Sequence, residues 1–441
     1  MAAPQPRLRK QLSAPGLLKT IRGEFERIDD HRSSRREIAL SDALMSGLAM
    51  FGLKYPSLLK FDEAYQDEAR IRHNLRTLYG VERAPCDTQL RTILDPVVPG
   101  ELHGAFRAVH RQLQRQRALK PYEYLNGYYL VSLDGTRQFA ASAISCPACC
   151  VKHPRAGPRY YHQLLGAVLV HPQLKTVLPF APEPITRADG AKKNDCERNA
   201  SKRLLEHLRE AHPQLKLIVL EDSRASNGPH LELLQRLELR YIIGVKPGDH
   251  QALFDAVQAG LSTGATQEWE YTDAAGIEHG YRWLNGVALN ARHAELRVNF
   301  LEYWMIRDGQ ETVFSWVTDL ALNPQTVEPI MRGGRCRWKV ENETFNTLKN
   351  QGYALEHNYG HGQQHLSSLL ASLILSAFLV HTVLEWMDDQ YQLLRQKLPS
   401  RKRLFSDIRT LTRYLCFESW GALMTFMLQS FEPVPPPLET G

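Results

Sequence analysis

Residues Tyr128 to Phe139 read Tyr-Tyr-Leu-Val-Ser-Leu-Asp-Gly-Thr-Arg-Gln-Phe, an apolar run that ends in a single carboxylate, Asp134. No other stretch limits the fold as much. A β-prone run closed by Asp-Gly reads as a strand entering a turn. An ionised carboxylate beside a buried strand is costly unless it is paired or bound to a cation. Two later segments supply partners. Leu217 to Asp222 is another apolar run that ends in acid, and Arg337 to Lys349 is a helical pattern with Glu341 inside it. Three carboxylates from two strand ends and one helix, Asp134, Asp222 and Glu341, suit a divalent ion such as Mg²⁺ or Mn²⁺, which takes hard oxygen ligands.

The pattern around these acids is α/β. After the Asp134 strand come apolar runs at His162 to Val170 and Thr176 to Phe180, then a helix from about Asp195 to His212. The Asp222 strand follows, then a helix over Pro229 to Leu237 and a strand over Tyr241 to Val245. Three strands, helix, strand, helix, strand is the order of an RNase H-like core, in which the first and fourth strands lie side by side. Between 256 and 320 the alternation turns to β, which predicts an inserted β-rich subdomain.

Residues 1–120 read instead as an all-α region. Ser41 to Leu53 is apolar behind a Ser-Asp start signal, and Asp87 to Leu94 is a short capped helix closed by Asp95-Pro96. Gly100 to Leu119 follows as a longer helix. Arg107, Arg111 and Arg115 recur every four residues along it, which places three guanidiniums on one face. Such a stripe suits a row of phosphates, and it suits a solvated surface equally. The charge is concentrated here: the first 120 residues hold 21 Lys+Arg against 14 Asp+Glu, and the remainder holds 33 against 34. A basic excess confined to one segment is the footprint of a polyanion partner, most often nucleic acid.

Residues 386–441 read as C-terminal helices and a proline-rich tail around Pro433 to Pro437 that has no patterning for a packed element. The most apolar stretch, Leu366 to Met387, contains Ser367, Ser368, Ser372, Ser376 and His381, and reads as a buried core helix rather than a membrane span. No apolar run follows the first charges, so the expected compartment is the cytoplasm. Seven cysteines, three of them at Cys146, Cys149 and Cys150, do not form an evenly spread disulfide framework. Cys146-x-x-Cys149 with His153 is a half-site for structural zinc, which His162 and Cys196 would complete; a loop of ordinary thiols has the same spacing. His357 to His365 also invites a metal reading, but Gly360 and Gly362 make it a loop that caps the following helix.

Taken in order, the Asp134-Gly-Thr and Glu221-Asp222-Ser strand ends, the β insertion, and Arg337-Trp338-x-x-Glu341-x-x-x-Phe345-x-x-x-Lys349 resemble the DDE transposases of bacterial insertion sequences. The likeness is to the cut-and-paste group, and it covers about residues 125–385, so the catalytic domain would span 121–385. It implies Asp134, Asp222 and Glu341 as catalytic Mg²⁺ ligands, and element ends recognised by residues 1–120. Arg337, Lys349 and Lys246 would add DNA contacts, although Lys349 falls one place late against the family pattern. The implied partners are double-stranded DNA, as terminal inverted repeats and target, and a second copy of the chain in the synaptic complex. A nucleoid-associated protein of the bacterial cytoplasm follows from that. An aromatic residue of the insertion would stack on a flipped base, with Trp283 and Trp304 as candidates. Two further readings use the same residues: an RNase H-like DNA nuclease without strand transfer, and a domesticated DNA-binding protein that no longer turns over.

At about 100° per residue a continuous helix places Glu341 within the stripe of Trp338, Phe345 and Leu348, with Glu343 towards solvent. Glu341, not Glu343, is therefore the expected inward acid.

Overall fold

Twelve strands form one sheet in the computed structural model, which describes residues 9–32, 36–155, 157–187 and 193–431. The proline-rich tail lies outside the described residues, as do the side chains of 193–196, including Cys196. The strands are β1 (Glu123–Tyr124), β2 (Tyr128–Ala141), β3 (Cys150–Lys152), β4 (Arg159–His171), β5 (Leu174–Pro179), β6 (Glu183–Ile185), β7 (Leu217–Glu221), β8 (Arg240–Gly244), β9 (Gln267–Thr272), β10 (Glu278–Asn290), β11 (His293–Arg307) and β12 (Gln310–Thr318). Their order is β3-β4-β2-β7-β8-β12-β11-β10-β9, with β5 and β6 on β4 and β1 on β2. The chain divides into two compact units. One comprises residues 119–136 and 164–345; the other comprises 1–118, 137–163 and 346–441.

In the first unit the expected adjacency forms: β2 pairs with β7 in parallel, and β7 with β8 in parallel. All five residues of β7 are buried. A strand buried on both faces is read as a continuous apolar run, which is how Leu-Ile-Val-Leu appears in the sequence. The helices Lys193–Ala211 and Gly228–Arg236 flank β7 in the chain. They are tied to it by Glu221, whose carboxylate meets the His230 ring at 2.6 Å and accepts from Ser201 Oγ at 3.3 Å.

The β insertion forms a meander of β9 to β12 that continues the same sheet, because β12 pairs antiparallel with β8. β11 and β12 join through Asp308-Gly309, whose φ values of 52° and 72° suit the tight two-residue turn that matches strand twist. The insertion's strands run from Gln267 to Thr318, behind the helix Gln251–Thr263.

The second unit is helical. The helix Leu40–Gly52 is buried along its whole length and packs on Leu366–Met387. The latter is long and apolar enough to cross a bilayer by composition alone, yet it is enclosed by protein. Gly47 lets the two helices approach, since a Cβ there would lie 2.8 Å from Leu373 Cδ1. Each fully buried leucine contributes about 1.5–3 kcal/mol, so this pair forms the unit's apolar centre.

Asp95 does more than close Asp87–Leu94: its carboxylate accepts from the backbone N–H of Gln363, Gln364, His365 and Leu366 and so caps the Leu366 helix. Burial opposes the charge, but these four donors hold the Asp95 carboxyl below its usual range. Two local expectations change. Asp87–Leu94 begins after Cys86 with no side-chain cap, and the expected Gly100–Leu119 helix is a 3₁₀ turn, Pro99–Leu102, followed by His103–Arg115. It stops there because Arg117 takes a left-handed φ of 54°.

Lys54 follows the helix Leu40–Gly52, donates to the Gln351 carbonyl and lies 3.8 Å from the Tyr353 ring centroid. Burial, then the charges of Arg401, Arg395 and Arg409, push its pKa down to about 6 against the opposing pull of Glu385; the ordinary value is 10.5. Between these values the unfolded chain binds the proton and the folded chain does not, so stability rises with pH across that window. Lys54→Met is expected to flatten the rise of unfolding temperature between about pH 6 and pH 10, followed by calorimetry. An unaltered slope would contradict the buried neutral amine.

Candidate active site

The parallel pairing fixes the first two acids. β2 and β7 are in register at Val131 with Val219 and at Ser132 with Leu220; two residues further along both chains, Asp134 comes opposite Asp222. Strand β2 does not end at Asp134, contrary to the turn expected of Asp-Gly. It runs on to Ala141. Gly135 is not among the residues with positive φ, which the hairpin turn requires, and its N–H is taken by Asp134 Oδ1 at 2.8 Å. Asp222 lies just past the end of β7 and turns the chain by accepting the Arg224 N–H at 2.9 Å.

Glu341 arrives on a different helix from the one its sequence pattern predicts. The chain tightens into a 3₁₀ turn at Cys336–Trp338 and widens into a π-helix at Val340–Phe345 before Asn346–Asn350. A constant 100° per residue does not hold across such a segment. Trp338 is 43% exposed and Glu341 is exposed, while Glu343 is half-buried. The inward stripe is Cys336, Lys339, Val340, Thr344 and Phe345. Placing Glu341 on the apolar stripe was therefore wrong in phase.

Two hydrogen-bonded anchors position the segment. Ser132 Oγ donates to the Arg337 carbonyl at 2.8 Å, and buried Lys339 donates to the carbonyls of His171, Leu174 and Pro172 at 2.7, 2.6 and 3.3 Å. Charged hydrogen bonds of this kind contribute about 1.5–3 kcal/mol each, enough to hold an irregular helix in place. Gly166 leaves room for Phe345, whose ring atoms would lie 3.0 Å from a Cβ.

Asp222 and Glu341 both act on the Asp134 charge. Burial foremost, and then the charges of Asp222 and Glu341, lift the Asp134 carboxyl above its ordinary range. The Arg337 guanidinium, 3.0 Å from Asp134 Oδ2, and the Gly135 N–H pull the other way. A fourth acid joins them. Glu197, near the start of Lys193–Ala211, is lifted by burial first, then by Asp134, Asp222 and Glu221, against Arg224. A Cβ on residue 135 would lie 2.9 Å from Glu197 Oε1, so the glycine makes this approach possible. The sequence reading missed Glu197; an acid in the first turn of the helix that precedes the Asp222 strand was the available signal.

A cleft of about 790 Å³ opens over Asp134, Glu197 and Asp222, with His230, His250 and His293 also in its wall. Arg337, 3.0 Å from Asp134, and Glu341 are not part of that lining. The β10–β11 hairpin reaches the cleft through Asn290 to His293, with the His293 ring resting where a Cβ on Gly228 would be. Hard carboxylate oxygens are what Mg²⁺ takes, usually one or two with water completing the shell. The donor set fits that ion in chemistry. It is not a closed cage, since the three acids are not among the groups of described residues whose ligand atoms all lie within 4.8 Å of one another.

The remaining candidates are dispersed. Arg107, Arg111 and Arg115 are all exposed on His103–Arg115, opposite a face of buried Phe106, Val109 and Leu113. Lys246 is exposed just after β8. Lys349 belongs to the helical unit and pairs with Glu356 at 3.1 Å. Trp283 is buried, and Trp304 lies over Gly280 with Arg282 above its ring, so neither is presented for stacking; Trp269 is the exposed tryptophan of the insertion.

The cysteine expectation holds in part. Cys146 and Cys149 come together with His162 and His361, their ligand atoms all within 4.8 Å of one another, whereas His153 is exposed and takes no part. By sequence His361 belongs only to a loop that caps the following helix. That loop does precede the Leu366 helix, and it also delivers this imidazole.

No family model matches the chain, and no curated protein matches it. Among solved structures it is similar to a piggyBac transposase synaptic complex with hairpin DNA, determined by cryo-EM, at 12% identity and a TM-score of 0.44 over all of this chain and 85% of that one. A likeness at this level carries no argument about activity.

Crowded like charges predict a stability signature. In EDTA, Asp222→Asn is expected to raise the unfolding temperature by relieving Asp134 and Glu197. Saturating Mg²⁺ should then raise the wild type more than the variant, because an ion bound only by the folded state stabilises in proportion to its affinity. Differential scanning calorimetry in both buffers checks this; equal Mg²⁺ shifts for the two proteins would remove the site.

Proposed function

We propose that the chain is a DNA transposase of the insertion-sequence, cut-and-paste kind, with Asp134, Asp222 and Glu341 as the acids of an RNase H-like core. The observation that carries this reading is the parallel register that sets Asp134 opposite Asp222, with Glu341 acting on the same carboxylate. The strand order β5-β4-β2-β7-β8, with β2 and β7 central and their acids at the same end, supports the RNase H-like reading.

Bound Mg²⁺ or Mn²⁺ at these acids would activate a water or a 3′-hydroxyl and stabilise the departing oxygen of a phosphodiester. The chain's own residues prepare the place. Arg337 orients Asp134 through the 3.0 Å ion pair and opposes part of the rise that burial imposes on that carboxyl. Ser132 and Lys339 hold the irregular helix that carries Glu341. The hairpin tip at Asn290 to His293 walls the cleft and narrows the approach of a substrate.

DNA would be gripped through phosphates by the exposed Arg107, Arg111 and Arg115 stripe and by Lys246, with Lys349 a further contact. Joining two element ends calls for two copies of the chain, hence a homodimer in the synaptic complex. A bacterial, nucleoid-associated place in the cytoplasm follows from that role.

The test is a cleavage and joining assay on an end-bearing duplex with Mg²⁺. Asp134→Asn and Glu341→Gln are expected to lose both cutting and strand transfer while retaining end binding, and Glu343→Gln to remain near wild type. Cutting by Asp134→Asn at the wild-type rate would overturn the assignment. Cutting without any joined product would select the nuclease reading.

A further inference from the structure

Cys146, Cys149, His162 and His361 come from three separated stretches of the helical unit and converge on one point. We infer that they bind a single structural zinc ion, which fastens the β3–β4 arm to the loop before the Leu366 helix. This goes beyond the proposed reaction, and none of the four residues belongs to the acidic site.

Four of the six separations lie within about 0.3 Å of tetrahedral edges. With Zn–S and Zn–N bonds of about 2.3 and 2.05 Å, tetrahedral edges are about 3.8 Å for S–S, 3.6 Å for S–N and 3.3 Å for N–N. The sulfurs are 3.6 Å apart, His162 Nε2 is 3.4 and 3.3 Å from Cys146 Sγ and Cys149 Sγ, and His361 Nδ1 is 3.3 Å from Cys149 Sγ. All four ligand atoms lie within 4.8 Å of one another. A sulfur separation of 3.6 Å is far from the roughly 2.05 Å of a disulfide. One imidazole nitrogen placed almost equally from two sulfurs is poor geometry for a single S–H···N bond and good geometry for three ligands on a common centre.

The surroundings are built for such a centre. Cys149, His162 and His361 are buried, and the Phe139 ring packs on both imidazoles at centroid distances of 5.4 and 5.0 Å. The Cys146 N–H donates to Cys149 Sγ at 3.4 Å and fixes the turn, while burial pushes that thiol up to about 11, so the ion must displace its proton. Two thiolates and Zn²⁺ sum to zero charge, so the complex can be buried without the cost of an unpaired ion; both thiol protons leave to solvent on binding.

His361 is aimed by design of the loop. Gly360 and Gly362 flank it with φ of 120° and 68°, and a Cβ on either would run into Arg91 Nη1 or Asp95 Oδ1. Arg91 donates to the Tyr359 carbonyl, and Asp95 gathers the N–H groups from Gln363 to Leu366. The Cys146–Cys149 turn is followed by β3, whose Cys150 pairs with Tyr161, the residue before His162. Both sides of the cluster are therefore preset by the backbone.

The full chain, purified without chelator, is expected to carry about one zinc per chain by plasma mass spectrometry. The zinc should fall to background in Cys149→Ser and His361→Ala and stay unchanged in His153→Ala. Should those two variants fail to fold, the wild type decides: replacing its zinc with Co²⁺ should give the intense visible bands of tetrahedral cobalt with a thiolate charge-transfer band. Folded wild type that takes up no zinc, or that contains a Cys146–Cys149 disulfide, would overturn the site, as would loss of zinc on His153→Ala.

Discussion

Everything at the acidic site depends on one parallel pairing. Strands β2 and β7 are far apart in sequence, and their register alone decides whether Asp134 and Asp222 are neighbours. A slip of one residue would turn one of the acids to the opposite face of the sheet. The register is secured by apolar burial on both sides: Leu130, Val131, Leu133 and all of Leu217 to Leu220 are almost completely inaccessible. The favourable burial of those side chains holds two carboxylates where their mutual repulsion alone would not leave them.

Burial and that repulsion act together. Burial foremost, and then the neighbouring acids, lift Asp134 and Glu197 above their ordinary range, and Arg337 offsets part of the rise at Asp134. Functional sites are where such local costs are tolerated, because a ligand that relieves them gains affinity. The π-helix at Val340–Phe345 belongs to the same pattern. It departs from regular geometry beside the site and is stabilised by the carbonyl cage around Lys339. The second unit is held differently, by apolar helix packing and by Asp95, whose single carboxylate organises the loop from Gln363 onward.

Much of the first unit was legible in the sequence because burial on both faces leaves long apolar runs. The runs at His162 and Leu217 each form a strand within a few residues of the expected limits, and the run at Tyr128 forms one that continues through the expected turn to Ala141. What was not legible depended on contacts between distant residues. Asp-Gly at 134–135 carries the signature of a turn, but strand pairing overrides it. The phase of Glu341 could not be read because the helix changes its winding twice in ten residues, and residue spacing carries no sign of that. His361 lies 212 residues from Cys149, so only the fold could reveal it in place of the nearby His153. The arginine stripe is exposed on one helix face as its four-residue spacing predicts, and that exposure suits phosphates and solvent alike.

The most direct measurement is iron-mediated cleavage of the polypeptide itself. Fe²⁺ substituted at a Mg²⁺ site, with ascorbate, generates hydroxyl radicals that cut the backbone close to the ligands. If Asp134, Asp222 and Glu341 hold one divalent centre, cuts should appear near all three positions in the full-length chain and disappear together as Mg²⁺ is added. Cuts confined to one of them, or a pattern that Mg²⁺ does not suppress, would show that the parallel pairing brings two acids together without making a metal site.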